Sequence, residues 1–200
     1  MTFVSGTEKP MEASGSAGPV ETRPASHGRG WYMLALLYIA VAATIGALLR
    51  LIYVVEMPWL VFKPWLHAHS HVAMLGWVFP ALIIAIMGQD DRPLPRGFSL
   101  WMGLSQALVA GMLFSFPVEG YGETSIACSL GQMIVGYILI GQAWNHTRRW
   151  PASGSRLLVR LAFIFQFVST LGVWAMVFLA ITILGASLIL GKKMGALFRA

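Results

Sequence analysis

Three histidines fall within five residues, His67-Ala68-His69-Ser70-His71, and no other segment of the 200-residue chain gathers so much ligating chemistry. At about 100° per helical residue, His67 and His71 share one face a turn apart, while His69 points to nearly the opposite side. Two imidazoles at i and i+4 can converge on one ion about 2 Å from each nitrogen, so His67 and His71 form a candidate metal pair for copper, iron or zinc. A haem asks for less, since one neutral imidazole supplies an axial ligand and the remaining contacts are apolar. Additional ligands would come from Glu56, Met57, Met112, Glu119, Tyr121 or Glu123. Carboxylates suit a hard or borderline ion, and a methionine sulfur suits haem or cuprous ion. Cys128 is the only cysteine, so one chain can form neither a disulfide nor a cysteine-built metal site. His146 is expected at the far end of its helix, about 30 Å away through the hydrocarbon layer, with an interfacial role.

The elements that must hold these histidines are set by composition. Hydrophobic residues make up 57% of the chain and charged residues 11%, well below the roughly 25% of soluble domains. The expected fold class is therefore all-α: a polytopic membrane helix bundle of about five transmembrane helices over residues 31–200, with the lipid bilayer as first partner. Residues 1–30 are rich in Gly, Ser, Pro, Ala and Glu and read as a disordered cytoplasmic tail containing His27. The spans are expected near residues 31–55, 67–87, 98–116, 125–144 and 157–190, with Pro64 and Pro117 outside the helices. Pro80 should kink the second span near Gly76 and Trp77. Gly131, Gly136 and Gly141 offer close approach to another helix. The last stretch is either one tilted helix or a crossing plus a surface segment, with Gly172 or Gly185 as the break.

The net charge of +6 is not a nucleic-acid footprint, because Lys and Arg sit between apolar runs rather than along one face. Their placement is a topology signal. Lys9, Arg23, Arg29, Arg92, Arg96, Arg148, Arg149, Arg156 and Arg160 fall on one side, against Lys63 and Arg50 on the other, which puts the N-terminus in the cytoplasm. Lys192, Lys193 and Arg199 oppose the rule if the last stretch crosses. The histidines then lie at the outer mouth of the second helix.

The run from Lys63 to Val78, with His67-Ala68-His69 and Leu75-Gly76-Trp77-Val78 inside it, resembles small bacterial membrane proteins related to subunit I of haem–copper (cytochrome c) oxidases. The resemblance covers the first two helices. It implies haem b held by His67 or His69, a bacterial inner-membrane location and a role in the respiratory chain. Subunit I has about twelve helices and takes its copper-site histidines from later ones, and no such His-His pair follows here. Whether the chain is an enzyme is left open: it shows no complete catalytic centre, and completion by a homo-oligomer or a larger respiratory membrane subunit is implied. The leading expectation is thus haem or metal binding linked to respiratory electron transfer. The alternatives are a non-catalytic assembly or interaction subunit, and a transporter of an ion or small solute.

Overall fold

The computed structural model describes residues 26–89 and 92–197, and five helices account for nearly all of them. They are α1 (Ser26–Leu51), α2 (Phe62–Met87), α3 (Phe98–Glu119), α4 (Glu123–Thr147) and α5 (Gly154–Leu197). Each is long and apolar enough to cross a membrane, which makes the chain a multi-pass membrane helix bundle. The expected tail at residues 1–25, together with Asp90, Asp91 and Arg199, lies outside the described residues. Residues 26–30 belong to α1 rather than to a tail.

Successive helices run antiparallel. The first two turns of α1 meet the last turns of α2 and the second turn of α3, as Gly28 abuts Ile84 and Gly103 abuts Trp31. Phe98, Met87 and Ala143 join one buried cluster at that end, and Phe163 of α5 packs into it. A second cluster, with Tyr38, Ala42, Val72, Val109, Met112 and Phe116, fills the middle and the other end. Small residues set the α3–α4 spacing. Gly111 faces the Cys128 sulfur, and Gly131 takes the Leu108 side chain at 3.2 Å from where a Cβ would sit. Gly141, by contrast, has no neighbour within 4 Å.

The second span departs most from expectation. It starts at Phe62, five residues before His67, because Pro64 occupies the first turn, where a missing N–H costs no intrahelical bond. His67 therefore lies more than a turn inside the helix. Pro80 does disturb the helix, but as a change of hydrogen-bond period: Val72–Val78 is π-helical, and the Phe79 N–H reaches the Met74 carbonyl five residues back. Such a widened turn absorbs the bond that proline cannot make. Gly76 falls inside it and is buried against α1, where a Cβ would stand 2.8 Å from Tyr38 Cγ. The Tyr38 hydroxyl donates at 2.8 Å to the Gln106 main-chain carbonyl, tying α1 to α3.

Two other boundaries shift. Pro117 lies within α3, which continues to Glu119. α5 is one unbroken helix of 44 residues with no break at Gly172 or Gly185. At ~1.5 Å per residue that is roughly 66 Å, about twice the hydrocarbon thickness.

Candidate functional site

The three histidines leave α2 toward three environments. His69 turns to α1, where its Nδ1 donates to the Ala42 carbonyl at 2.9 Å. Gly46 makes that approach possible: a Cβ there would be 2.9 Å from His69 Cε1. Because a carbonyl only accepts, Nδ1 carries the proton and Nε2 keeps its lone pair in the neutral ring.

His67 and His71 share the opposite face, as their spacing requires, and both meet Phe116 of α3. The ring centroids lie 5.9 Å and 4.8 Å from the phenyl, respectively. Beyond that common contact they differ. His67 Nδ1 is 3.2 Å from the Tyr121 hydroxyl, with the rings edge to face at 4.7 Å. His71 Nδ1 donates at 2.8 Å to the His67 carbonyl one turn back, which again fixes the proton of the neutral ring on Nδ1 and leaves Nε2 as its acceptor.

His71 also lines a cavity of about 180 Å³ between α2, α4 and α5. Its walls are three stripes at helical spacing: His71, Leu75 and Phe79; Ser129, Gln132, Gly136 and Ile140, with Met133 and Tyr137 beside them; and Gln166, Thr170 and Val173. Part of the stripe on α4 is legible in the sequence, as Ser129, Gln132 and Gly136 are polar or small residues recurring at three and four positions. Gln132 is 3% exposed, donates from Nε2 to Ser105 Oγ at 2.9 Å, and leaves its Oε1 buried without a partner. Tyr137 is bonded on both sides, to Thr170 and from Trp174 Nε1 at 3.0 Å, and this pins α5 to α4.

The other candidate ligands have separate duties or positions. Glu119 Oε1 accepts the Ser125 N–H at 2.7 Å and so caps the start of α4. Met112 is fully buried, and its sulfur lies 3.3 Å from the Ser129 hydroxyl. Glu56 and Glu123 are exposed, Met57 is half-buried beside Leu60 and Ile45, and Arg50 is exposed in the last turn of α1. His146 is 8% exposed in the last turn of α4, at the far end of the bundle from Tyr121, and is inside the helix bundle rather than on its rim. Among the described residues no three His, Cys, Asp or Glu side chains gather to hold a metal ion.

These observations weigh haem and metal differently. A structural or catalytic metal centre takes three or four protein ligands, and the pair His67 and His71 has no third member among the described residues. A haem takes one neutral imidazole whose other nitrogen is anchored, and His69 has that donor chemistry through a bond that spans two helices. The cavity beside His71 is too small for a macrocycle, since it lies below the ~300 Å³ at which drug-sized pockets begin.

Fold and site together define a multi-pass membrane protein whose second helix presents imidazoles to separate faces. Comparison with family models, curated proteins and solved structures finds no match for the chain.

Proposed function

We propose that this chain is an inner-membrane haem protein of respiratory electron transfer, with His69 of α2 as an axial ligand. The observation that carries the proposal is the His69 Nδ1 bond to the Ala42 carbonyl, 27 residues away on another helix. Ligating histidines nearly always donate their second ring N–H to a carbonyl, carboxylate or water, which fixes the tautomer and strengthens the ligand. The resemblance of the Lys63 to Val78 segment to subunit I of haem–copper oxidases supports the respiratory role and names His67 beside His69. A bound haem would supply one-electron chemistry. The chain's part is to orient the imidazole and keep water from it.

Orientation rests on charge. Arg92, Arg96, Arg148, Arg149, Arg156 and Arg160 cluster at the end of the bundle where α1 begins, against Lys63 and Arg50 at the other. This supports a cytoplasmic N-terminus and outward-facing histidines.

The test is spectroscopic. Protein purified from haem-replete cells, or titrated with hemin, should show a Soret band at one haem per chain. His69→Ala should remove it, and His67→Ala should not. A band that survives His69→Ala would make that histidine a latch between α1 and α2 and nothing more.

A further inference from the structure

We infer that a basic cavity between the α2–α3 turn and the α4–α5 turn is a binding site for the phosphate of an anionic phospholipid. Residues 89–97 and 148–160, at the end of the bundle where α1 begins, carry six arginines against two aspartates. Loops on one side of a membrane protein gather such an excess simply to set topology. That rule is met by arginines anywhere in the loops and asks for no shared cavity. Here Arg92 and Arg149, from turns separated by two helices, line one cavity of about 400 Å³ with Gln89, Trp150, Ser153 and Ser155.

The arginines of this end are not equivalent. Arg160 lays its guanidinium over the Trp144 ring at 4.9 Å, and Arg156 donates from Nη1 to the Trp150 carbonyl at 2.7 Å. These two hold the α4–α5 turn in shape. Arg149 is exposed, and its side chain makes no hydrogen bond or ion pair among the described residues. Ser153 Oγ accepts the Arg156 N–H at 3.3 Å, which leaves its own O–H proton to give. Two guanidinium groups and two serine hydroxyls around one space supply positive charge and donors. A phosphate is their complement, since arginine can grip it through two parallel N–H bonds.

Position decides between a lipid and a free anion. Trp150 in the lining and Trp144 beneath Arg160 mark the depth at which indole rings settle, the boundary between hydrocarbon and water. Leu157 and Leu158, two and three residues beyond Ser155, are 59% and 68% exposed, and α5 buries none of its most apolar stretch. An uncovered apolar surface thus begins roughly 5 Å from the cavity along the helix. The acyl chains of a lipid whose phosphate sits in the cavity would lie on it, whereas a free phosphate would leave it unused. The volume is within the ~300–1,000 Å³ of small-molecule sites, room for a headgroup and more than a bare ion needs.

The site lies at the opposite end of the bundle from His67 and Tyr121, so it stands with or without a haem on His69. The test is native mass spectrometry of the full-length protein, released from detergent in about 0.2 M ammonium acetate, where screening beyond ~8 Å suppresses the diffuse attraction of the arginines. Dioleoyl phosphatidylglycerol and dioleoyl phosphatidylcholine share their chains, but the second brings a quaternary ammonium among the guanidinium groups. Phosphatidylglycerol should bind about tenfold more tightly. Arg149→Gln should weaken it about tenfold, the loss of one charge-assisted contact. Arg96→Gln removes the same charge from the α2–α3 turn outside the cavity lining and should cost less than about twofold. Both side chains are exposed, so the fold tolerates both changes. Equal affinity for the two lipids, or equal losses in the two variants, would overturn the inference. Displacement of phosphatidylglycerol by millimolar inorganic phosphate would overturn it as well, because the site would then serve a free anion.

Discussion

α1 to α4 and α5 belong to one chain and have similar composition, yet they solve the membrane problem differently. In the apolar stretches of the first four helices, between 22% and 33% of residues are buried inside the protein, whereas α5 buries none in its own. Hydropathy is no guide to this contrast, since α5 has the highest value of the five. Within lipid, an apolar side chain gains little by leaving the acyl chains for another helix, so association rests on close fit and on interhelical hydrogen bonds. The first four helices have both. Glycines admit Tyr38, His69, Cys128 and Leu108, and bonds run from Tyr38 to α3 and from His69 to α1. α5 is held mainly by Phe163 at one end and by the Tyr137, Thr170 and Trp174 group further along. The cavity beside His71 lies where the well-fitted part meets the loosely fitted one.

If this contrast is right, substitutions of one kind should differ sharply in cost between the two regions. The largest effect is expected for Gly76→Val. The first carbon added would stand 2.8 Å from Tyr38 Cγ and 3.1 Å from its Cβ, so the clash reaches the base of the side chain, which cannot swing away as a flexible tip could. Overpacking of this kind costs up to about 3 kcal/mol, read as a lower midpoint in SDS-titrated unfolding. An unchanged midpoint would mean that α1 and α2 are not in close contact. Phe116→Ala comes next. The phenyl is fully buried and touches the rings of His67, His71 and Tyr121. Lipid removes much of the transfer term, and the remaining cavity term predicts a loss of roughly 2 kcal/mol in the same titration.

Gly46→Ala is smaller in energy and more specific in effect. The neighbour is a ring that can give, His69 Cε1 at 2.9 Å, so about 1 kcal/mol is expected. The spectrum should respond more strongly than stability, with the Soret band shifted or weakened as His69 leaves the Ala42 carbonyl. If stability falls and an existing Soret band does not move, then His69 is packing and not ligand.

The same distinction explains what the sequence could and could not reveal. Runs of apolar residues near the length of a crossing identified five spans, because the bilayer sets that length. The angular step of a helix separated His69 from His67 and His71, and the structure places them on α1 and on Phe116 accordingly. The proline rule misplaced two boundaries. Pro64 in a first turn and Pro117 near a last turn cost the helix little, whereas Pro80 at mid-span reshaped it into a π segment. Gly46, Ala42 and Phe116 were invisible as site residues because nothing local marks them. Their importance comes from which helix lies beside α2, and that is a tertiary fact.

The smallest expected effect tests the contrast most cleanly. Gly172 of α5 lies in a helix interior, as Gly76 does in the wider turn, yet a Cβ at Gly172 would meet nothing within 4 Å. Gly172→Ala therefore removes backbone freedom from the unfolded chain without adding a clash, and alanine favours a helix over glycine by roughly 0.5–1 kcal/mol. The unfolding midpoint should stay level or rise slightly. A clear loss of stability would reveal a partner packed on α5, either a second copy or another membrane subunit. Such a partner would make the exposed length of α5 an interface and not a lipid-facing wall. Gly76→Ala in parallel supplies the scale, because the chemical change is identical and only the surroundings differ.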